Sequence, residues 1–213
     1  MIYTFVKRIS DFFLSLLGLI VLSPILLVAI IGIYISSPGP VFFKANRIGK
    51  NGEPFVMFKF RSMYLNDEKG HLITLRTDNR IFPFGRFLRK SKIDELPQLV
   101  NILQGKMSIV GWRPEDEENV NKAFIGKYKE ILSIKPGLTS PGSLYDYTHG
   151  EKYDDEEAYE KEFLPKKMDL ELYYVQHQSV LYDTKLVLRT IKTILQIVFG
   201  MDSFPDPKEL RDI

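Results

Sequence analysis

The strongest hydrophobic pattern lies near the N-terminus, where no charged residue occurs from Phe12 to Ile35. As an α-helix this segment would be about 36 Å long, which is enough to cross a lipid bilayer. Pro24, preceded by Ser23, lies near its middle and predicts a kink or a break, because proline lacks an N–H and clashes with the preceding turn. The Ser23 hydroxyl is a candidate hydrogen-bond partner for the backbone at this break.

The charges around this segment indicate how it would meet a membrane. Basic residues flank it on both sides: Lys7, Arg8, Lys44, Arg47 and Lys50. Because positive residues favour the cytoplasmic side, this distribution opposes a single crossing. A broken helix over residues 1–36 that enters and leaves through the same face fits both observations better than a spanning helix. A cleaved signal peptide fits less well, since the segment is long and lacks a clear small-residue cleavage site.

A turn rich in Ser, Pro and Gly follows, and then two short segments alternate between apolar and polar positions. They predict strands at Val41–Arg47 and Phe55–Arg61, joined through Lys50-Asn51-Gly52 as a β-hairpin. In the second strand, alternation would place Lys59 and Arg61 on one face. That face is either an ordinary exposed surface with solvated cations or a cationic surface for phosphates beside a membrane.

The remainder of the chain shows mainly helical patterns. Pro97 is tolerated only in the first turn of a helix, so a helix that starts at about Asp94 and ends at Gly105 fits the apolar positions that follow. Leu181–Phe199 has the pattern of a basic amphipathic helix, which could lie on anionic lipid headgroups or pack on the domain core. Other predicted elements are a short cationic segment at Phe84–Lys90, a strand at Met107–Val110, a helix at about Glu117–Leu132, a loop at Lys135–Ser143 and a solvated acidic helix face at Glu151–Glu162.

These elements together predict an α+β fold that is mostly helical and contains a short β-hairpin. The chain has 213 residues, enough for one domain plus an anchor. We expect an N-terminal re-entrant helix at residues 1–36, one domain at 37–200 and a poorly ordered tail at 201–213.

The composition narrows the possible chemistry. The net charge of +2 shows no global basic bias of the kind found in nucleic-acid-binding proteins, so no nucleic-acid partner is predicted. The chain has no cysteine, which excludes disulfides, thiolate zinc sites and cysteine nucleophiles. Its histidines, His71, His149 and His177, are far apart in the sequence. Any metal is therefore expected to be a hard, oxygen-bound ion such as Mg²⁺.

The adjacent carboxylates Asp94 and Glu95 are the main candidates for chemistry, and two interpretations of them are open. At a helix start, an aspartate is a good cap and a glutamate suits the first turn. Alternatively, the arginines and lysines close to them in the sequence would keep a carboxylate ionised, and an ionised aspartate can attack phosphorus. Glu95 could then bind Mg²⁺ that neutralises a diphosphate, while arginines bind phosphate oxygens.

A sequence resemblance favours the second interpretation. The string SKIDELPQLVN at Ser91–Asn101, followed by Gly105–Ser108 and Gly111–Pro114, resembles the bacterial sugar transferase family. These are monotopic phosphoglycosyl transferases that start glycan assembly on undecaprenyl phosphate. Further matching positions are Lys7-Arg8, Asp11, Ser23-Pro24, Pro38–Phe43, Arg47–Gly49 and Phe58–Met63. The matches cover about residues 5 to 140, without a multispanning region before them, so the chain resembles the small form of the family.

The resemblance implies a role for each matched residue. Asp94 would attack the sugar-bearing phosphate of a UDP-sugar and expel UMP, and Glu95 would hold Mg²⁺. Undecaprenyl phosphate would then attack the phosphosugar-aspartyl intermediate. Lys59, Arg89 and Arg113 match family positions and would bind phosphate groups. That Arg61 and Arg86 share this role is a separate hypothesis. Ser23-Pro24 would be the break of a re-entrant helix in the bacterial inner membrane. That arrangement would place both termini and the catalytic domain on the cytoplasmic face, near membrane lipids and downstream glycosyltransferases.

Departures from the family pattern leave the sugar undefined. Trp112 stands before Arg113 where many members have proline, and Lys92-Ile93 and Ser140–Ser143 also differ. Trp112 could stack on uracil or a sugar, or it could pack the wall of the site. Two other functions use the same residues differently. One is a metal-dependent diphosphate hydrolase, and the other is a catalytically silent scaffold at the membrane surface.

Overall fold

The computed structural model describes residues 2–65, 79–150, 153 and 156–213. Within them the chain has the predicted α+β composition and is mostly helical. The helices are α1 Ile2–Val21, α2 Ser23–Ser36, α3 Pro83–Lys90, α4 Gln98–Leu103, α5 Glu117–Ala123, α6 Pro141–His149, α7 Glu156–Ala158, α8 Leu164–Gln176 and α9 Val180–Val198. The strands are β1 Phe42–Ile48, β2 Pro54–Phe60, β3 Ser108–Val110 and β4 Gly137–Thr139. Short 3₁₀ segments lie at Lys50–Gly52, Ile93–Glu95, Gly126–Ser133 and Lys208–Arg211, and a π turn at Tyr159–Phe163 joins α7 to α8.

Two predictions fall partly or wholly outside this range. His71 is outside the described residues, as are positions 151, 152, 154 and 155 of the acidic stretch predicted at Glu151–Glu162. From position 156 onward, that stretch is helical as far as it is described.

The helix break predicted at Ser23-Pro24 is confirmed. Among the described residues no single helix is both long and apolar enough to cross a membrane, but α1 and α2 together are, with a bend of 61° between them. Pro24 occupies the first turn of α2, where its missing N–H costs least. The Ser23 hydroxyl donates to the carbonyl of Ile20 at 2.7 Å, so it satisfies a backbone acceptor next to the break.

Charged residues of α1 fix this bent pair to the rest of the chain. Arg8 donates to the carbonyls of Ile102 and Leu103 at 2.7 and 2.9 Å, which lie in the last turn of α4. The buried Asp11 accepts hydrogen bonds from the Ser108 hydroxyl at 2.8 Å and the Ile109 N–H at 3.0 Å. A cation at the C-terminal end of a helix also interacts favourably with the helix dipole. The position of α1 is therefore coupled to α4 and β3.

The predicted hairpin is confirmed, with strand ends that differ by one residue. β1 and β2 pair antiparallel, with Phe43 opposite Lys59 and Arg47 opposite Phe55. Asn51 in the connection has a φ of 58°, in the left-handed region that asparagine tolerates better than most residues. Because β2 ends at Phe60, the expected alternation stops before Arg61.

The loop predicted at Lys135–Ser143 is wrong. β4 lies inside this segment and pairs in parallel with β3, with Gly137 opposite Ser108. Gly137 approaches the backbone of Gly111 so closely that a Cβ would clash with it. The glycine that suggested a loop is therefore required for close strand packing.

The start of α6 lies in the same segment. The Ser140 hydroxyl accepts a hydrogen bond from the Ser143 N–H at 2.8 Å, and Pro141 is the first residue of the helix. Serine at the cap and proline at the first position are both favoured at helix starts.

The helix predicted at Glu117–Leu132 is also shorter than expected. α5 begins at Glu117, where the Asp116 carboxylate accepts from the Asn119 N–H at 2.9 Å. The helix ends at Ala123, and Gly126 has a φ of 54°. That left-handed residue turns the chain into a separate 3₁₀ segment.

The C-terminal helix agrees with the prediction to within one residue, but the tail does not. α9 buries Leu186 and Thr193 against the domain and leaves Leu188 and Leu195 exposed. The tail, which we expected to be poorly ordered, forms the 3₁₀ segment Lys208–Arg211. It is held there because Glu209 accepts hydrogen bonds from Tyr182 at 2.9 Å and Arg189 at 2.8 Å, both on α9.

Candidate active site

Asp94 and Glu95 lie in the 3₁₀ segment Ile93–Glu95 and not in the helix that follows. Lys92 precedes them with a left-handed φ of 57°. The cap residue of α4 is Pro97, and no side chain caps that helix. The cap interpretation of Asp94 is therefore wrong. Both carboxylates are almost completely buried, with 5% and 6% of their surfaces exposed.

Glu95 is surrounded by hydrogen-bond donors. Its Oε1 lies 3.4 Å from the Lys59 ammonium and 3.2 Å from Nη2 of Arg113. Its Oε2 accepts from the Tyr147 hydroxyl at 3.1 Å. Burial raises the pKa of Glu95, but the charges of Arg113, Lys59 and Lys92 outweigh it and hold the pKa well below its usual range. Glu95 is therefore ionised at neutral pH.

Asp94 is in the opposite electrostatic situation. Its Oδ1 is buried and accepts no hydrogen bond. Burial raises its pKa, and the neighbouring Glu95 raises it further, while Lys59, Lys92 and Arg89 oppose the shift. The two adjacent carboxylates thus differ: the pKa of Glu95 is lowered by its partners, whereas Asp94 has a free acceptor atom and a raised pKa.

Two residues of α6 complete the site, and sequence reasoning assigned them no role. Tyr147 bonds Glu95, and its ring lies 3.9 Å from the Lys92 ammonium. Asp146 lies 3.5 Å from Nε of Arg113, so this arginine contacts a carboxylate on each side. Ser140-Pro141 is a recognisable helix start, and this signal could have predicted α6 and the position of both residues.

The five predicted phosphate-binding cations do not all lie together. Lys59 and Arg113 contact Glu95 directly, and Arg89 acts on Asp94 through its charge. Arg86 is exposed on α3, without a described contact to the carboxylates.

Arg61 is displaced from the face predicted for it. It is only 4% exposed, donates to the carbonyl of Ser37 just beyond α2, and lies 5.9 Å from the Phe82 ring. The reason is that β2 ends one residue earlier, so Arg61 no longer shares a face with Lys59. This cation supports the junction between α2 and the domain, and its position does not favour the predicted phosphate contact.

Trp112 packs the wall and does not line the site. Its side chain is fully buried, and its indole N–H donates to the carbonyl of Ile134 at 3.1 Å. Its ring also contacts Phe124 edge-on, with centroids 5.1 Å apart. Stacking of Trp112 on a base or a sugar is therefore excluded in this conformation.

A polar cavity of about 60 Å³ adjoins Glu95. Its lining residues come from β1, β2, the 3₁₀ segment, α4, β4 and the loop after β3. They are Arg47, Met57, Lys59, Glu95, Gln98, Arg113, Pro114, Glu115 and Gly137. The cavity thus combines two carboxylates, Glu95 and Glu115, with three cations, Arg47, Lys59 and Arg113, and these cations could bind an anionic ligand.

The donor atoms at this site suit Mg²⁺. Within the described part of the chain, no group of three or more acidic, histidine or cysteine side chains could hold a metal ion. Asp94 and Glu95 do offer adjacent carboxylate oxygens, including the unbonded Oδ1 of Asp94. Mg²⁺ is commonly held by one or two carboxylates plus water and substrate phosphates, and this pair fits that pattern.

Comparison with known proteins identifies the family of this chain. The sequence model described as bacterial sugar transferase matches residues 2–197, which is nearly the whole chain. The chain belongs to the bacterial sugar transferase family. The family membership predicted from the SKIDELPQLVN segment is therefore confirmed.

Three curated relatives give the family its chemical context. A UDP-glucose:undecaprenyl-phosphate glucose-1-phosphate transferase of Xanthomonas campestris is 36% identical over 89% of this chain and 38% of its own length. A UDP-N-acetylgalactosamine-undecaprenyl-phosphate N-acetylgalactosaminephosphotransferase of Aeromonas hydrophila is 34% identical over 91% of this chain and 44% of its own. A UDP-glucose:undecaprenyl-phosphate glucose-1-phosphate transferase of Caulobacter vibrioides is 33% identical over 89% of this chain and 69% of its own. The chain thus spans less than half the length of the first two.

Proposed function

We propose that this member of the bacterial sugar transferase family transfers a sugar 1-phosphate from a UDP-sugar to undecaprenyl phosphate and releases UMP. The observation that carries this proposal is the buried Asp94-Glu95 pair, in which Glu95 contacts Lys59 and Arg113 and lines a polar cavity. The names of the relatives agree on the carrier and differ in the sugar. The reaction would be the first membrane step in assembly of a glycan.

In the first step, the Asp94 carboxylate attacks the phosphorus that bears the sugar. A bond forms between an Asp94 oxygen and that phosphorus, and the bond to the bridging oxygen of the diphosphate breaks. UMP leaves with the electron pair of that bond, and a phosphosugar-aspartyl intermediate remains. Lys59 and Arg113, which both contact Glu95, would stabilise the charge on the phosphate oxygens.

In the second step, an oxygen of undecaprenyl phosphate attacks the same phosphorus. The bond to Asp94 breaks, the carboxylate is regenerated, and undecaprenyl diphosphosugar is the product. Glu95 and Asp94 would hold Mg²⁺, which supplies positive charge against the diphosphate. That added charge would also favour the ionised form of Asp94, whose pKa is raised by burial in the free protein.

We also propose that α1 and α2 form a re-entrant anchor in the bacterial inner membrane, with the domain on the cytoplasmic face. Large apolar side chains are exposed along both helices, among them Phe13, Leu17 and Val28, and a lipid environment would cover them. Arg8 and Asp11 hold α1 against α4 and β3. The carboxylates would therefore lie close to the bilayer surface, where the phosphate of the carrier lipid lies.

The test is an assay of UMP release from a panel of UDP-sugars, with undecaprenyl phosphate and Mg²⁺. We expect UMP from one donor, turnover that depends on the lipid, and loss of at least about a thousandfold in rate in Asp94→Asn. Asparagine has the same shape as aspartate but is a poor nucleophile. The matched control is Asp202→Asn, which changes an exposed aspartate in the tail.

Other outcomes would replace the proposal with one of its alternatives. UMP release that continues past one equivalent without lipid would make the protein a diphosphate hydrolase. A complete absence of UMP with every donor would favour a scaffold that has no activity of its own. Full activity in Asp94→Asn would remove this residue from the mechanism.

A further inference from the structure

The cavity extends beyond the residues used in the proposed reaction. Arg47 and Gln98 line it, and neither has a role in the two steps described above. Arg47 belongs to β1 and Gln98 is the first residue of α4, so different elements bring them to one cavity.

The register of the hairpin shows where Arg47 lies relative to the carboxylates. Lys59 is opposite Phe43, whereas Arg47 is four residues farther along β1. Side chains at these positions point to the same face of the hairpin, and the four residues correspond to about 13 Å along the strand. Met57 lies between the two cations and also lines the cavity. The cavity therefore lies between Lys59, the cation at Glu95, and a second cation, Arg47, which both line it.

Arg47 has hydrogen-bond donors to spare. Its Nη1 contacts the Asp116 carboxylate at 3.5 Å and the carbonyl of Asn46 at 3.2 Å, which are long distances for such contacts. A guanidinium has five N–H donors, so most of those of Arg47 are unused within the described part of the chain. The nearby Glu115 is already paired with the buried Lys167 at 2.9 Å. This end of the cavity therefore holds two ion pairs, Arg47 with Asp116 and Lys167 with Glu115, and Arg47 keeps donors that a ligand could use.

Gln98 presents an unpaired amide to the same cavity. Its side chain is only 2% exposed, and it makes no hydrogen bond to any residue that the structure describes. Gln98 lines the cavity, so its amide is open to a ligand there. A ligand in the cavity would give this amide a hydrogen-bond partner.

We propose that Arg47 and Gln98 bind the phosphate that leaves with the uridine. The donor diphosphate would lie along the hairpin, with the transferred phosphate at Lys59 and Arg113 and the leaving phosphate at Arg47. Negative charge grows on the leaving phosphate as its bond breaks, and a guanidinium fork stabilises such a charge at two oxygens. This assignment rests on the proposed function, because it takes UMP as the leaving group.

The test is titration calorimetry of the full chain with UMP, in detergent and without lipid carrier. We expect Arg47→Met to weaken UMP binding by at least about tenfold, because it removes charged hydrogen bonds. Gln98→Leu removes a hydrogen bond from an uncharged amide and should weaken UMP binding about threefold to tenfold. Arg211→Met and Gln176→Leu make the same changes at exposed positions outside the cavity and should bind UMP like the natural protein.

The outcomes separate this inference from the function on which it rests. If the natural protein binds UMP and both cavity variants bind it equally well, the inference is overturned and the transferase function stands. A loss at Arg47 alone would overturn the part assigned to Gln98. A natural protein that binds no UMP would overturn the donor assignment, and the inference with it. Thermal unfolding of each variant shows whether a loss of binding comes from misfolding. If Arg47→Met misfolds, Arg47→Lys replaces it, because lysine keeps the charge but lacks the guanidinium fork.

Discussion

The candidate site has two walls that are built in different ways. The carboxylate wall consists of Lys59, Asp94 and Glu95, which lie on β2 and the 3₁₀ segment. The α6 wall consists of Arg113 and the two α6 residues Asp146 and Tyr147. Asp94 of the first wall would react with the donor, whereas Asp146 and Tyr147 of the second wall contact Arg113 and Glu95 and orient them. Arg113 contacts Glu95 and would also bind the transferred phosphate. The comparison predicts that changes in the α6 wall cause graded losses, unlike loss of the nucleophile.

The largest of these losses is expected at Arg113, because it joins the two walls. It contacts Glu95 at 3.2 Å and Asp146 at 3.5 Å, so its removal leaves the buried Glu95 and the partly exposed Asp146 without this cation. We expect Arg113→Met to lower kcat/KM about a hundredfold and to lower the free energy of unfolding by about 1–3 kcal/mol. Steady-state UMP release and chemical denaturation measure the two effects. Arg113→Lys keeps the charge but not the guanidinium fork. If this variant were as active as the natural protein, the fork would have no role in bridging Glu95 and Asp146.

A smaller loss is expected at Tyr147, which sharpens the distinction between orienting and reacting groups. Tyr147→Phe removes the hydroxyl that donates to Glu95 at 3.1 Å and keeps the ring beside Lys92. The expected fall in kcat is about tenfold, which corresponds to one hydrogen bond to a charged group. Tyr173→Phe changes a tyrosine of α8 outside the site and should leave the rate unchanged. A loss as large as that of Asp94→Asn would make Tyr147 part of the chemistry.

The same division explains what could be predicted from sequence. Asp94, Glu95 and Gln98 lie within one continuous string, so local pattern and family resemblance were sufficient to find the carboxylate pair. Tyr147 meets Glu95 across 52 positions of sequence, and only tertiary packing brings them together. The fold class and the hairpin followed from periodicity, and the Ser23-Pro24 break followed from the missing N–H and the ring of proline.

The errors have physical causes of the same kind. Arg61 was placed by strand alternation, which fails because β2 ends at Phe60. Gly137 suggested a loop. A glycine is needed at this position because the backbone of Gly111 packs against it. Trp112 was left between two roles that only its burial distinguishes. Each of these depends on where a chain segment ends or what packs on it, and neither is encoded locally.

The smallest effect concerns a residue that supports the α6 wall. Glu171 is buried on α8, and its Oε1 accepts from the Ser140 hydroxyl at 2.7 Å and the Arg113 N–H at 3.3 Å. Burial raises its pKa from 4.5 to about 7, despite the opposing hydrogen bond from Ser140. Its other oxygen, Oε2, is buried without a partner.

The raised pKa of Glu171 makes its support of the α6 wall depend on pH. Glu95, in contrast, stays ionised. Between about pH 4.5 and 7 the folded state binds a proton at Glu171 that the unfolded state has lost, so stability falls as pH rises through this window. Glu171→Gln keeps the acceptor oxygen and removes the charge. We expect the variant to be more stable than the natural protein by about 2 kcal/mol at pH 8 and nearly equal to it at pH 5, with activity within about threefold. Denaturant unfolding at both pH values measures this, with the exposed Glu160→Gln as control. A stability difference that does not change with pH would show that Glu171 is ionised throughout and that the wall rests on fixed charges alone.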